Sequence, residues 1–141
     1  MSRHPMIRLK RAYDPPSASD GRRLLVERLW PRGVKKELLA ADAWLKDAAP
    51  SASLRTWFGH RVERWDEFRR RYRAELRANP RAWAPILEAA QAGPVTLVYA
   101  ARDTEHNGAL VLRDFVAERT RRRRRPPTSR RGRARAPSTR R

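Results

Sequence analysis

The stretch LLVERLWPRG, Leu24 to Gly33, decides the fold that the sequence predicts. Its apolar, β-favouring residues predict a buried strand, and Trp30 and Pro31 end that strand just before Arg32. Open α/β sheets bind their ligands at the carboxyl ends of their strands. Charged residues that follow this strand therefore mark the first candidate position for a binding site.

Two further segments have the pattern of strands in the same sheet. Ile7 to Tyr13 alternates apolar and charged residues, which predicts a half-buried strand. Val95 to Ala101 (VTLVYAA) is apolar almost throughout, which is typical of a strand covered on both faces of a parallel sheet. A polar loop, Arg102 to Gly108, then leads to a helical pattern over Ala109 to Arg119. The last unit is thus strand, loop and helix.

The segments between the strands predict helices. Apolar spacing predicts a helix over Lys35 to Asp47, and Ser53 is positioned to cap a short turn that Gly59 ends. Asn79 and Pro80 are a typical start for a later helix. The clearest amphipathic stripe, opposite a strongly basic face, consists of Trp65, Phe68, Tyr72 and Leu76. Together these patterns predict a small three-layer α/β/α domain with a short, mostly parallel sheet.

Charge divides the chain into two parts. The 141 residues carry a net charge of +19, of which the first 120 residues keep +8, because the last 21 hold 11 arginines and no acid. This composition predicts a folded domain over residues 1–120 and a disordered tail over residues 121–141. A GC-rich genome explains the excess of arginine as well as selection for phosphate binding does. The arginines that open the tail are candidates for sequence-independent contact with nucleic acid: Arg121, Arg122, Arg123, Arg124 and Arg125.

Several classes of chemistry are excluded or have no motif. The chain has no cysteine, so it has no disulfide, no thiolate zinc site and no thiol nucleophile. It has neither a Walker loop nor a G-x-G-x-x-G motif, so we expect no nucleotide cofactor, and the spacing of its histidines predicts no metal site. No stretch approaches the ~20 apolar residues of a membrane span, and the N-terminus lacks the apolar region of a signal peptide. We therefore expect a cytoplasmic protein without a membrane partner.

Five stretches of the chain resemble the bacterial YeaO-like group of domain-of-unknown-function family 488. They are DGRRLLVERLWPRG (20–33), WLKDAAPS (44–51), LRTWFGH (54–60), RWDEFRRRYRAEL (64–76) and GPVTLVYAARDTEHNGALVL (93–112). The resemblance covers nearly all of residues 7–119 and leaves the arginine-rich tail outside. It implies a small cytosolic α/β protein with no known cofactor and no established function. In another branch of the family a Cys-His-Arg motif occupies the position of Glu105, His106 and Asn107, of which only the histidine is shared.

The strand ends predict one site. If the two central strands are parallel neighbours, their carboxyl ends open at the same edge of the sheet, next to the start of the last helix. The residues expected to bind a ligand there are Arg28, Arg32, Asp103, Asn107, His60 and Trp30, and the candidates for acid and base catalysis are Glu105 and His106. Each also has a structural interpretation. Arg28 is equally suited to pair with an acid, Asp103 to cap the helix, and His60 to fill a structural role in its loop.

Three functions stay open at this point. The first is a protein, enzyme or not, that binds a small anionic ligand bearing a phosphate or carboxylate, such as a nucleotide. The second is a nucleic-acid-binding module that uses the basic helix face and the arginine-rich tail. The third is a domain that acts through a protein partner. Substrate, reaction and oligomeric state are not encoded in any recognisable pattern of this chain.

Overall fold

The computed structural model describes the backbone of residues 7–124 and the side chains of residues 7–121. Within this range, four parallel strands form one sheet: β1 Ile7–Arg11, β2 Arg22–Leu25, β3 Ala43–Trp44 and β4 Val95–Tyr99. The spatial order is β1-β4-β2-β3, and Leu97 of β4 lies opposite Leu9 on one side and Leu24 on the other. All five residues of β4 are buried. The predicted parallel pairing of the two apolar strands is confirmed.

Strand β2 is shorter than its apolar sequence predicts. The Val26 amide still donates to the Val98 carbonyl at 3.1 Å, but the next acceptor on this strand is a side chain. The Glu27 carboxylate accepts a hydrogen bond from the Ala100 amide at 2.9 Å, in place of a backbone carbonyl. Regular pairing therefore ends at Leu25, and the chain leaves the sheet before Trp30.

Five α-helices accompany the sheet in residues 7–124. They are α1 Lys36–Leu39, α2 Ala52–Phe58, α3 Trp65–Ala78, α4 Pro80–Ala92 and α5 Gly108–Arg124. The large core lies between one face of the sheet and α2 to α5, with Phe68, Tyr72 and Phe115 at its centre. On the other face Leu25 and Val98 pack with Leu39 of α1. The predicted three-layer fold is thus confirmed, with one outer layer much thinner than the other.

The helix predicted over residues 35–47 is wrong. Helix α1 ends at Leu39, Ala40 has a left-handed backbone with φ 52°, and residues 43–44 form the edge strand β3. The Asp42 carboxylate accepts from the Arg23 amide at 2.8 Å, and the Asp42 amide donates to the Arg23 carbonyl at 2.7 Å. These bonds align the segment with β2, so tertiary pairing overrides the helical spacing of its apolar residues.

The other predicted helices are found with shifted ends. The cap of α2 is Ser51 and not Ser53, because the Ser51 hydroxyl accepts from the Leu54 amide at 3.2 Å, while Gly59 ends the helix as predicted. Helix α4 begins with Pro80 in its first turn, and Asn79 makes no side-chain cap. Helix α5 continues to Arg124 and so includes the first arginines of the predicted tail; the remainder of that tail lies outside the described residues. Among residues 7–124, no helix combines the length and the hydrophobicity needed to cross a membrane.

Candidate functional site

A cavity of about 350 Å³ opens at the carboxyl ends of β1, β2 and β4. Its walls come from the segments that follow these three strands, from the end of α2 and from the start of α5. We call this cavity the crevice. Its polar lining residues are Glu27, Arg32, Arg55, His60 and Asn107, and Trp30 also lines it. The crevice lies at the edge of the sheet where the sequence predicts a site.

Glu27 is the half-buried acid of the crevice. One carboxylate oxygen accepts from the Ala100 amide, and no described residue donates to the other. Burial raises the pKa of the Glu27 carboxyl, while the Ala100 amide and the charges of Arg55 and His60 act in the opposite direction. Glu27 therefore offers one free carboxylate oxygen to whatever enters the crevice.

Two exposed arginines also line the crevice. Arg32 lies in the loop after β2, and Arg55 lies in α2. Within residues 7–121, neither guanidinium group makes a hydrogen bond or close ion pair with a side chain, although the charge of Arg55 acts on the Glu27 carboxyl. A guanidinium group carries five N–H donors in a planar fork that matches phosphate and carboxylate oxygens.

His60 follows the end of α2 and is exposed at the crevice. Both Gly59 and His60 have left-handed backbones, with φ 52° and 59°. This conformation is uncommon for a residue with a side chain, although histidine adopts it more often than most. The His60 ring lies 6.1 Å from the Phe58 ring, centroid to centroid. The tight turn thus brings the imidazole to the same cavity as Glu27.

The start of α5 forms another wall. The Asn107 side chain caps this helix, accepting from the Leu110 amide at 3.0 Å and donating to the Asp103 carbonyl at 2.9 Å. Gly108 and Ala109, which also line the crevice, have backbone amides that donate to no acceptor in the described part of the chain. Free amides at the start of a helix favour a negatively charged ligand.

Aromatic side chains complete the lining. Phe58 and Tyr99 are buried, each with 5% of its surface exposed, whereas Trp30 and Tyr13 are exposed at 36% and 47%. The Trp30 indole donates to the Val34 carbonyl at 2.6 Å, and the Tyr13 hydroxyl donates to the Arg32 carbonyl at 3.0 Å. These two bonds hold the loop after β2 in place beside the crevice.

Arg28, predicted to bind a ligand, does not line the crevice. Its guanidinium donates to the carbonyls of Pro50 and Ala49, both at 3.0 Å, and lies 3.8 Å from the Asp47 carboxylate. The structural interpretation of Arg28 fits this position, since these bonds hold the segment before α2 against the end of β2.

The Asp103 to His106 turn also lies outside the crevice. Asp103 accepts from the amides of Glu105 and His106 at 2.8 and 3.0 Å, and its other oxygen lies 3.0 Å from His106 Nδ1. The His106 ring packs edge-on against Trp65 with centroids 5.3 Å apart, and Glu105 lines a separate groove between α3 and α5. The structure therefore does not bring Glu105 and His106 together with Arg32, and their catalytic role stays a prediction.

Glu27 and Arg55 are the site residues that sequence reasoning missed. Glu27 is hidden inside the apolar run that predicts the strand, although a charge in such a run is itself a signal. Arg55 lies in a helix without any motif. In residues 7–121, no three histidine or acidic side chains come together in a group that fits a metal ion.

The basic face of α3 is largely paired. Glu67 accepts from both Arg70 and Arg71, Arg69 lies 3.6 Å from Asp66, and Arg73 lies 2.8 Å from the Glu118 carboxylate of α5. These ion pairs neutralise much of the charge that the sequence assigns to a nucleic-acid surface.

Comparison with known proteins identifies relatives along nearly the whole chain. A family model described as the inactive DUF488-N3 subclade matches residues 6–134. The chain is 46% identical to the uncharacterised protein YeaO of Escherichia coli strain K12 over 110 residues. This match covers 78% of this chain and 96% of that protein. It is 38% identical over 116 residues to the uncharacterised protein Rv3073c of Mycobacterium tuberculosis strain H37Rv, covering 82% of this chain and 98% of that protein. No solved structure matches the chain.

Proposed function

This chain belongs to the DUF488 family, in the subclade described as inactive, and we propose that it is a cytoplasmic protein whose crevice binds a small anionic ligand bearing a phosphate or carboxylate. The description of the subclade supports a binding role over a catalytic one. The position of Glu105 and His106 outside the crevice supports the same conclusion.

The observation that carries this proposal is the set of unpaired donors around one cavity. No described side chain makes a hydrogen bond or close ion pair with the guanidinium group of Arg32 or Arg55, and no described acceptor binds the Gly108 and Ala109 amides. Among the described residues that line the crevice, Glu27 alone opposes them with a negative charge. Two arginines against one acid give the crevice lining a net positive charge, so an anion gains more there than a neutral ligand does.

Nucleic-acid binding is the alternative. It rests on the arginine-rich sequence after residue 120 and on the basic face of α3. The ion pairs of that face with Asp66, Glu67 and Glu118 disfavour it as a phosphate-binding surface. The crevice is therefore the better-supported site.

Thermal unfolding of the full chain with inorganic phosphate and pyrophosphate tests the proposal. A ligand raises the melting temperature only when it binds the folded state more tightly than the unfolded chain. Contact of the anions with the arginine-rich sequence beyond residue 124, if equal in both states, leaves the melting temperature unchanged. We expect a rise with pyrophosphate that Arg32→Ala and Arg55→Ala each reduce, with about a tenfold loss of affinity per variant.

Arg77→Ala is the matched control. Arg77 is an exposed arginine of α3 that does not line the crevice, so this variant removes the same charge elsewhere. Its pyrophosphate response is expected to equal that of the unaltered chain. The proposal is wrong if no anion raises the melting temperature, or if Arg32→Ala and Arg55→Ala respond as Arg77→Ala does.

A further inference from the structure

Resting on the proposed function, we infer that the ligand of the crevice is a nucleoside monophosphate whose base carries an exocyclic amino group, and that the free oxygen of Glu27 accepts a hydrogen bond from that group. The phosphate lies with Arg32 and Arg55. Glu27 is thereby the specificity-determining residue of the site.

Glu27 puts an acid into a site that attracts anions. A simple phosphate or carboxylate ligand leaves the free Glu27 oxygen without a donor and adds a like charge beside it. An ionised carboxylate accepts hydrogen bonds and donates none. The ligand that fits therefore presents a hydrogen-bond donor to Glu27 as well as an anion to the arginines.

The acid and the cations of the crevice differ in their exposure to solvent. Glu27 is half-buried, whereas Arg32, Arg55 and His60 are exposed. A ligand with its donor at the inner end and its anion at the outer end satisfies both. In nucleic-acid recognition, carboxylates accept hydrogen bonds directly from the exocyclic amino group of a nucleobase.

The walls of the crevice are partly aromatic, and the cavity is small. Trp30, which is 36% exposed, offers aromatic surface to a planar ring, and the buried Phe58 and Tyr99 add apolar lining. Stacking of a base on an aromatic side chain stabilises binding with little dependence on which base it is. A cavity of about 350 Å³ lies at the lower end of the size range of small-molecule sites, which suits one mononucleotide and not a dinucleotide.

The experiment compares cytidine and uridine 5′-monophosphate by isothermal titration calorimetry on the full chain. The two nucleotides carry the same phosphate and sugar, but cytosine has an amino group where uracil has a carbonyl oxygen. We expect cytidine monophosphate to bind about tenfold more tightly or better, because the uracil oxygen faces the Glu27 carboxylate without a proton between them. The pair guanosine and inosine 5′-monophosphate, which also differ by one amino group, is expected to rank in the same order.

Glu27→Gln tests the assignment to this residue. The glutamine amide oxygen keeps an acceptor for the Ala100 amide, so the end of β2 is preserved, and the –NH₂ group then faces the crevice as a donor. We expect this variant to bind uridine monophosphate at least as tightly as cytidine monophosphate. Glu37→Gln, which changes the same charge at an exposed position of α1, is expected to keep the original preference.

The outcomes separate this inference from the proposed function. Equal binding of cytidine and uridine monophosphate, with a loss in Arg55→Ala, overturns the role of Glu27 and leaves the anion site in place. The same holds if pyrophosphate binds and neither nucleotide does. A preference for cytidine monophosphate that persists in Glu27→Gln also overturns the role of Glu27. If neither pyrophosphate nor a nucleotide binds, both proposals are wrong.

Discussion

Replacement of Asp20 by asparagine is expected to destabilise the domain strongly, because this carboxylate, just before β2, binds two cations, Lys10 and Arg23. Its oxygens lie 2.7 Å from Arg23 Nη1 and 3.0 Å from Lys10 Nζ, and the Ser17 amide donates to it at 3.0 Å. The side chains of Asp20 and Arg23 are each only 5% exposed. Asparagine leaves the buried guanidinium without a counter-charge.

The magnitude follows from burial and from the pKa. Burial alone raises the pKa of Asp20, but the Ser17 amide and the Lys10 and Arg23 cations lower it from 3.8 to about 2. A difference of nearly two pKa units corresponds to about 2 kcal/mol of stability that depends on the ionised carboxylate. Removing one partner of a buried ion pair costs about 3–5 kcal/mol. We expect a loss of about 3 kcal/mol at pH 7 and a melting temperature lower by roughly 10 °C.

The assay is urea denaturation followed by circular dichroism, repeated from pH 7 down to pH 2. Because the folded-state pKa of Asp20 lies below its unfolded value, its contribution is complete above pH 4 and is lost as the pH falls towards 2. Asp20→Asn is therefore expected to show a shallower loss of stability over this range than the unaltered chain. Asp66→Asn is the control, since Asp66 is 95% exposed and lies 3.6 Å from Arg69; we expect it to change stability by less than about 1 kcal/mol.

The reasoning is refuted if Asp20→Asn costs no more than Asp66→Asn does, or if both variants keep the acid profile of the unaltered chain. In either case the buried carboxylate contributes no net stability over its amide. Binding to the crevice at a temperature where the variant is folded is expected to be unchanged, because Asp20 does not line the crevice.

Two matched pairs test the turns and caps by chemical denaturation. Gly21 has φ 65°, and a Cβ added there lies 2.2 Å from the Pro94 carbonyl oxygen, whereas Gly33 has φ 77° with open space around it. Gly21→Ala is therefore expected to cost more than about 2 kcal/mol and Gly33→Ala about 1 kcal/mol; equal costs contradict the close approach. Ser51→Ala, which removes the cap of α2, is expected to cost about 1–2 kcal/mol, and Ser53→Ala less than about 0.5 kcal/mol. If Ser53→Ala costs more stability than Ser51→Ala does, Ser53 and not Ser51 is the cap of α2.

The sequence predicts the sheet better than it predicts its connections. The apolar runs of β2 and β4 predict strands, and the apolar stripe of α3 predicts a helix. The structure confirms all three elements. Residues 35–47 carry helical spacing, yet the segment contains a one-turn helix and an edge strand. The bonds that decide this join Asp42 to Arg23, 19 positions away, and no local pattern encodes them.

The site is predicted by its place in the sheet and not by its side chains. Arg32 and His60 lie in the crevice as their positions after a strand and a helix suggest. Arg28 has an equally suitable position, but it turns to the carbonyls of Ala49 and Pro50. A position at a strand end determines where the backbone of a residue lies. The direction of a long side chain depends on which hydrogen-bond acceptors of neighbouring segments have no other donor.

Glu27 links the fold to the site. Its carboxylate replaces the backbone acceptor for the Ala100 amide, and this exchange coincides with the end of regular pairing between β2 and β4. An apolar residue at this position leaves that amide in need of a backbone partner, which favours continuation of the strand pair into the space of the crevice. The side-chain acceptor that interrupts an otherwise apolar run therefore lies where regular pairing ends and the crevice opens, and no described residue donates to its second oxygen.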